Sequence, residues 1–189
     1  MSFKFILASG SPRRFDLLTE KGQNFIVKTA DVDESFKLGL PPEEVVKILS
    51  LRKAEKVYSI YKKPTLGADT VVVFDNTVIG KPTTKEHAKR MLKALSGKKH
   101  YVLTGIALIG DGFKVNEYVK TDVYMNVLSE EFINDYVYSG KAMDKAGAYG
   151  MQDGGFVNRI EGSYTNVVGL PMERTKELLK EYGLWQEKE

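Results

Sequence analysis

The stretch FKFILASGSPRRFDLL, residues 3–18, decides how the chain begins to fold. Its apolar run from Phe3 to Ala8 is typical of a β-strand. Ser11 and Pro12 then predict the start of a helix, because serine is a good N-cap and the missing N–H of proline would lack a partner at the first helical position. We therefore expect strand, tight turn and helix in succession, the opening unit of an α/β fold.

The turn between that strand and helix concentrates polar groups. The hydroxyls of Ser9 and Ser11, the guanidinium groups of Arg13 and Arg14 and the N–H groups of the first helical turn fall within a few residues. Hydrogen-bond donors and positive charge at a helix N-terminus favour a bound phosphate. Taken alone, the same residues fit an ordinary strand-to-helix turn with two solvated arginines, which is the simpler interpretation.

Composition narrows the class of protein. The 189 residues are 42% hydrophobic, enough for one domain over residues 1–189, and 28 Lys and Arg against 25 Asp and Glu leave a net charge of only +3. These scattered charges give no reason to expect a nucleic-acid or membrane surface. The absence of cysteine excludes disulfides, thiol catalysis and cysteine-bound metals. With no signal-peptide pattern and no long apolar run, we expect a cytoplasmic protein.

The rest of the chain alternates predicted helices and strands. A long helix opens at Pro41, and further helices are expected after Thr83, after Ser129 and before Tyr182. Strands are predicted at 24–29, at 65–74 with an interruption at 67–70, and at 78–79, 100–109, 113–127 and 156–160. Asp-Gly at 111–112 predicts a hairpin between the two longest strands.

One lysine lies out of place on the long helix. Val46, Leu49, Val57 and Ile60 recur at helical spacing and predict its buried face, and Lys53 falls in line with them. A lysine can cover apolar surface with its methylene groups and keep its ammonium at the edge. The alternative is a lysine directed into a cleft.

Charges near strand ends are a second anomaly. Aspartate is rare inside strands and a buried carboxylate needs a partner, so Asp69 should lie at a strand mouth, in an ion pair or on a metal. Glu34 belongs to an acidic loop that is either solvated or handles a cation. Lys81 ends the returning strand of a predicted hairpin, where it could approach Asp69 across the sheet.

The glycine-rich stretch from Met143 to Gly155 cannot form a stable helix or a regular strand. It is either a flexible surface loop or a backbone that passes close to a ligand. Tyr149 and Gln152 would suit stacking on and hydrogen bonding to a planar base, and Lys145 would reach a phosphate.

These positions together combine cations with carboxylates. They suit a phosphoanhydride held by arginine and lysine, with Mg²⁺ or Mn²⁺ on Glu34 or Asp69 and an activated water that attacks phosphorus. The only histidines, His87 and His100, fall in a helix and at a strand start with structural character, which argues against a Ser-His-Asp triad. No GxxxxGK[ST] loop is present, so a P-loop enzyme is not expected.

Six ordered motifs resemble those of the Maf family and span nearly the whole chain. They are SGSPRR at 9–14, GADTVV at 67–72, GKP at 80–82, LSG at 95–97 with His100 and TG at 104–105, DKAGAYG at 144–150, and GSY at 162–164 with VVGLP at 167–171. The resemblance implies a strongly twisted mixed sheet flanked by helices, with two lobes and a deep cleft, as in Maf- and ITPase-like folds. It also implies a nucleoside triphosphate pyrophosphatase that splits the bond between the α and β phosphates with divalent-metal help, releasing a monophosphate and pyrophosphate.

The resemblance also assigns roles to the residues singled out above. It places the key carboxylate on Asp69, a supporting carboxylate on Glu34, and phosphate contacts on Ser9, Arg13, Lys53 and Lys81. We therefore expect Asp69, Glu34, Lys53 and Lys81 to be catalytic, with the two carboxylates as metal ligands. Substrate-binding positions would be Ser9, Arg13, Arg14, Lys145 and Gln152.

A finer resemblance concerns the substrate. Arg14 with the loop motif and Gln152 is similar to the branch that prefers dTTP and UTP, whereas the 7-methyl-GTP branch usually has tryptophan in place of Arg13. The chain departs from the family pattern with Met-Gln-Asp at 151–153 and with Lys141. Both departures are at loop positions, so they bear on base selection or loop flexibility more than on the chemistry.

Two other functions stay open from sequence. A nucleotide-binding regulator of cell division, suggested by the family's association with inhibited septum formation, would keep the anion site but need no catalytic carboxylate. A purine or 7-methyl-GTP pyrophosphatase would apply the same chemistry to another base. Whether Asp69 binds metal, activates water or does both is also open, and a homodimer is compatible with the resemblance although no residue pattern indicates one.

Overall fold

The computed structural model describes residues 3–29 and 31–187. Its strands are β1 (Phe5–Ala8), β2 (Phe25–Val27), β3 (Thr65–Phe74), β4 (Thr77–Ile79), β5 (Lys99–Gly110), β6 (Phe113–Met125) and β7 (Val157–Glu161). Its helices are α1 (Pro12–Glu20), α2 (Pro42–Tyr61), α3 (Lys85–Leu95), α4 (Glu130–Tyr138), α5 (Tyr164–Val168) and α6 (Met172–Glu181). Within these described ranges, no helix is both long and apolar enough to cross a membrane.

The strands form one twisted mixed sheet in the order β2-β1-β3-β5-β6-β7, with β4 also paired to β3. The neighbours β2, β1 and β3 are parallel, whereas β3, β5, β6 and β7 are antiparallel. Helices cover both faces of the sheet. The expected α/β class, with a mixed sheet flanked by helices, is confirmed.

An opening in the sheet lies beside β3. One edge of β3 pairs with β5 along nearly its whole length. On the other edge, pairing with β1 ends at Gly67 and pairing with β4 begins at Val72, so the described strands leave the edge unpaired at residues 68–71. Because successive side chains of a strand point to opposite faces, Asp69 and Thr70 border this opening from different faces of the sheet.

The long helix α2 lies directly on the sheet because two glycines let its backbone approach. A Cβ atom on Gly67 of β3 would lie 2.4 Å from the carbonyl oxygen of Ser50, and one on Gly105 of β5 would lie 2.2 Å from that of Val46. Real Cβ atoms do not come so close to backbone oxygens. This close packing brings Lys53, nearly one turn after Ser50, onto β3.

Two apolar clusters flank the opening. In one, α1 and α6 pack on the sheet through buried residues that include Leu18, Leu66 and Leu178. In the other, α3 and α4 pack together through residues that include Leu92 and Val137. The opening lies between these clusters, which corresponds to the two-lobed arrangement expected from the resemblance.

Three features of the fold differ from the sequence predictions. β3 runs without a break through residues 67–70, because β5 pairs with each of them and the glycine there serves helix packing. Ile60 is 58% exposed, since helical spacing predicts the direction of a side chain but not whether another element reaches it. Residues 164–168, for which no helix or strand was predicted, form α5, which is capped by the Ser163 hydroxyl accepting from the N–H of Asn166.

Candidate active site

The opening beside β3 leads into a cavity of about 540 Å³. Small-molecule sites in proteins typically measure about 300–1,000 Å³. The cavity is lined by charged and polar side chains that the sequence singled out, namely Arg13, Arg14, Glu34, Lys53, Asp69, Lys81, Lys145 and Gln152. A second cavity of about 320 Å³ shares Glu34 and Lys53 with the first and adds Ser9. Every predicted site residue therefore borders one of two adjoining cavities.

Lys53 joins the two predicted carboxylates. Its Nζ lies 2.6 Å from Asp69 Oδ1 and 2.9 Å from Glu34 Oε1. The Asp69 side chain is 12% exposed and that of Glu34 is 67% exposed, so the inner ion pair is screened far less by water. The hydrogen bond and charge of Lys53 hold the pKa of Glu34 below its usual value. Lys53 is thus directed into the cleft and not to the protein surface.

The two carboxylates are suited to a divalent cation. Because Asp69 and Glu34 both pair with the Lys53 ammonium group, their carboxylates lie close to each other on the cavity wall. Within residues 3–29 and 31–187, no three His, Cys, Asp or Glu side chains converge as a complete metal site. Mg²⁺ is usually held by one or two carboxylates together with substrate phosphates and water. The donor set present fits that pattern, in which the substrate supplies the remaining ligands.

Arg14 is buried in the cavity wall, and three of its N–H donors are bonded to other residues of the protein. Its Nε donates to the Gly169 carbonyl oxygen at 2.8 Å, and its terminal nitrogens donate to Ser9 Oγ at 2.8 Å and to Thr70 Oγ1 at 3.0 Å. Burial lowers the pKa of the Arg14 guanidinium, but an arginine in a protein keeps its proton. Arg14 therefore lines the cavity and also holds Ser9 in place.

A buried polar chain continues from Arg14 through the sheet. Thr70 Oγ1 lies 2.9 Å from Thr104 Oγ1, and Thr104 Oγ1 donates to the Asn166 carbonyl oxygen at 3.1 Å. Asn166 Nδ2 donates in turn to Thr121 Oγ1 at 3.0 Å. The sequence interpretation missed this network. The only sign of this network in the sequence is threonine within otherwise apolar strands. Threonine is common in strands, so its presence there does not indicate a function.

Arg13 and Lys145 both contact Asp144, which belongs to the DKAGAYG motif but was not among the predicted site residues. Arg13 Nη1 lies 2.9 Å from Asp144 Oδ2, and Lys145 Nζ lies 2.8 Å from Asp144 Oδ1. Lys145 Nζ also donates to the Lys141 carbonyl oxygen at 2.5 Å and lies 3.6 Å from Asp153 Oδ2. Two cations predicted to bind phosphate are thus paired with carboxylates of the protein itself.

Lys81 and Gln152 are exposed on the cavity wall. Among the residues that the structure describes, neither takes part in an ion pair or a side-chain hydrogen bond, so Lys81 lines the same cavity as Asp69 without direct contact. Its charge adds to that of Lys53 in lowering the pKa of Glu34. Both side chains are accessible to a ligand in the cavity.

Tyr149 lines the cavity, but most of its side chain is packed inside the protein, so little of its ring is accessible for stacking on a base. It is 5% exposed, its hydroxyl lies 2.7 Å from His100 Nε2, and its ring packs against Phe156. Burial raises the pKa of Tyr149 and lowers that of His100 to about 4, so both groups are neutral near pH 7. The ring anchors the glycine-rich loop to the core. Burying the whole aromatic side chain stabilises the protein more than leaving one face of the ring exposed.

Ser11 occupies the predicted N-cap position of α1, which begins at Pro12 as expected. Its side chain, however, makes no capping hydrogen bond. The N–H of Ser11 instead donates to Ser9 Oγ at 3.3 Å. Ser9 Oγ therefore accepts hydrogen bonds from both this N–H and Arg14.

The fold and site together define an α/β protein with a cleft at an open strand edge that is lined by both cations and carboxylates. The sequence profile described as "Maf-like protein" matches residues 4–182, and the chain belongs to this Maf family.

Comparison with named relatives agrees with this assignment. The dTTP/UTP pyrophosphatase of Geobacillus sp. (strain WCH70) is 45% identical over 183 residues, which cover 95% of this chain and 98% of the relative. The dTTP/UTP pyrophosphatase of Vibrio parahaemolyticus is 42% identical over 185 residues, covering 96% and 98%. Among solved structures, a HAM1 protein from Coxiella burnetii aligns with a TM-score of 0.53 at 17% identity, over 95% of this chain and all of that one. The last likeness concerns the fold alone.

Proposed function

We propose that this protein is a nucleoside triphosphate pyrophosphatase that hydrolyses dTTP and UTP to the monophosphate and pyrophosphate, with residues 1–189 acting as one domain. The observation that carries the proposal is the Lys53–Asp69 pair at the open edge of β3, in a cavity whose other walls hold Arg13 and Lys81. A largely buried carboxylate among several cations suits hydrolysis of a polyanion. Relatives that share 42–45% identity over nearly the full chain and are named dTTP/UTP pyrophosphatases support the substrate.

The proposed roles follow from position in the cavity. Arg13 and Lys81 bind the triphosphate, and the Ser9 hydroxyl is a further phosphate contact. Lys53 holds Asp69 in place, and Asp69 accepts a proton from the water that attacks phosphorus. The bond to the leaving pyrophosphate then breaks, and the negative charge that develops on it is stabilised by the surrounding cations.

The remaining predicted residues divide between the base and the cavity wall. Gln152 is exposed on the loop, where its amide can hydrogen-bond a pyrimidine. Lys145 lines the same cavity but is more deeply buried, and we assign it to the phosphates. We assign Arg14 to positioning, because three of its N–H donors are bonded to Ser9, Thr70 and Gly169.

We further propose Mg²⁺ or Mn²⁺ as cofactor, held by Asp69 and Glu34 with substrate phosphates. When bound, such an ion neutralises phosphate charge and lowers the pKa of a coordinated water. The proposed location is the cytoplasm, with nucleoside triphosphate as the partner and no nucleic acid. A homodimer stays a prediction that sedimentation would test.

The test is a product assay on the purified full chain with Mg²⁺ or Mn²⁺. We expect release of pyrophosphate, and not orthophosphate, from dTTP and UTP. A panel of ITP, XTP, 7-methyl-GTP and modified pyrimidine triphosphates distinguishes the purine and 7-methyl-GTP alternatives. Nucleotide binding without turnover of any triphosphate would instead support a regulator of cell division, the second candidate from sequence.

A further inference from the structure

Asp144 occupies the position between two cations that the proposed function assigns to substrate phosphate. One of its carboxylate oxygens lies 2.9 Å from Arg13 and the other 2.8 Å from Lys145. The Asp144 carbonyl oxygen adds a longer contact of 3.5 Å to the second terminal nitrogen of Arg13. Two oxygens of one anion shared between a guanidinium and an ammonium are the arrangement by which proteins hold a phosphate group.

The two carboxylates near Lys145 differ in how firmly they are held. Asp153 is 15% exposed, and its Oδ2 accepts a hydrogen bond from the Tyr136 hydroxyl at 2.6 Å. Asp144 is 60% exposed. Among the described residues, its carboxylate contacts the two cations and no neutral side-chain donor. Lys145 therefore has one fixed carboxylate partner and one that can leave without breaking the core.

Displacing Asp144 has a low energetic cost. Arg13 is 25% exposed, so its ion pair with Asp144 is partly solvated, and such pairs contribute little to stability. A triphosphate carries more negative charge than one carboxylate and offers more acceptor oxygens to the same cations. Hydrogen bonds from Lys145 and Arg13 outweigh partial burial and lower the pKa of Asp144, so the carboxylate is ionised at neutral pH and competes as an anion.

We propose that Asp144 is an internal substitute for substrate phosphate, which pairs with Arg13 and Lys145 in the empty cleft and is displaced when a triphosphate enters. This inference rests on the proposed function. Its consequence is selectivity by charge, because a polyphosphate displaces the carboxylate while a weakly charged anion does not. After the reaction, the returning Asp144 carboxylate would also favour release of the products.

Binding of inorganic tripolyphosphate tests this proposal, since this anion carries three phosphates without a base or sugar. Calorimetry on the full-length protein without divalent metal would compare the parent protein with Asp144→Asn. We expect the variant to bind tripolyphosphate about tenfold more tightly, the change that follows from freeing two partly exposed ion pairs. Equal or weaker binding, or no binding to either protein, would overturn the proposal, because Asp144 would then be orienting the cations or the cations would not bind phosphate.

The matched control is Asp153→Asn, which removes the same charge from the other side of Lys145. We expect its tripolyphosphate affinity to stay within about twofold of the parent value, since Asp153 does not contact Arg13. A tenfold gain in both variants would contradict displacement and indicate a general effect of net charge. If thermal unfolding shows that Asp153→Asn does not fold, Asp111→Asn in the exposed β5–β6 turn provides the control for net charge.

These outcomes are separate from those of the proposed function. A parent protein that hydrolyses dTTP, together with an Asp144→Asn variant that binds tripolyphosphate no better, refutes the internal substitute and keeps the enzyme. A parent protein that hydrolyses no triphosphate refutes the enzyme whatever the anion affinities are.

Discussion

Lys53 and Asp69 form a 2.6 Å ion pair although they belong to a helix and to the strand beneath it. The pair exists because α2 descends onto β3 at Gly67, two residues before Asp69. Glycine packing and ion pairing are therefore parts of one arrangement. Changes to either should affect both the position of the carboxylate and the activity proposed for it.

Replacement of Asp69 by asparagine should remove the reaction and keep the fold. The amide can still accept a hydrogen bond from Lys53, but it carries no charge and takes up no proton. We expect the rate of pyrophosphate release to fall by about 10² or more. Product assays and thermal unfolding measure the two effects, and Asp111→Asn should change neither. An Asp69→Asn protein with parental activity would exclude this carboxylate from the chemistry.

Lys53→Met should also impair turnover. Methionine keeps much of the apolar stem but leaves Asp69 and Glu34 without their shared cation. We expect a loss of about 10² in kcat/KM, because an electrostatic contact in the cleft is lost. The control is Lys47→Met on the same helix, where the lysine pairs with Glu44 at the surface. Similar kinetics for both variants would mean that the position of Lys53 has no special role.

Gly67→Ala should destabilise the protein by about 1–3 kcal/mol, because the new methyl group would meet a backbone oxygen that cannot move aside. For a chain of this size, each kcal/mol corresponds to roughly 2–4 °C in Tm. Gly80→Ala is the control, since its methyl group would meet nothing within 4 Å. Equal melting temperatures for the two variants would show that α2 does not depend on this close approach.

Arginines 13 and 14 should respond differently to the same substitution. Arg14→Lys keeps the charge but cannot make three directed hydrogen bonds, so we expect a loss of about 2–4 kcal/mol in the free energy of unfolding. Arg13→Lys, in a partly exposed position, should raise KM with little effect on stability. Urea unfolding and steady-state kinetics of both variants test this division. A stable Arg14→Lys protein with a raised KM would place Arg14 on the substrate instead.

His100 should make stability depend on pH. Burial lowers its folded-state pKa to about 4 from the usual 6.5, so the unfolded chain binds a proton that the folded chain does not. The stabilising contribution is complete above pH 6.5 and is lost as the pH falls towards 4. We expect about 2 kcal/mol of this loss between pH 7 and pH 5. His100→Gln should reduce that dependence in urea unfolding, and an unchanged dependence would assign it to other groups.

The elements that the sequence predicted well are those with strong local signals. The first helix begins at Pro12, and the two longest strands meet at Asp111, because caps and turn residues act within a few positions. The candidate site residues were also recognisable, because their residue types are unusual in the elements where they were predicted to lie. An aspartate in a strand and a lysine on an apolar helix face, such as Asp69 and Lys53, contradict local preference.

Other features could not be predicted because they depend on partners distant in sequence. Tyrosine is a residue type that can stack on a base, which is why Tyr149 was considered for that role. In the structure, His100, 49 residues earlier, holds the Tyr149 hydroxyl in the core. Arg13 and Arg14 are adjacent and chemically identical. Their side chains leave α1 in different directions. Arg13 therefore pairs with Asp144 in a partly exposed position, whereas Arg14 is buried and donates to Ser9.

The sequence by itself therefore determined the α/β class, the helix start at residues 11–14 and which charged residues were unusual, since all of these follow from local preference. Tertiary structure alone decided that β3 would have an unpaired edge between β1 and β4, that Lys53 would meet Asp69 there, and that Asp144 would pair with Arg13. The physical reason is that strand pairing and ion pairing depend on distances across the fold, which packing sets and local preference does not.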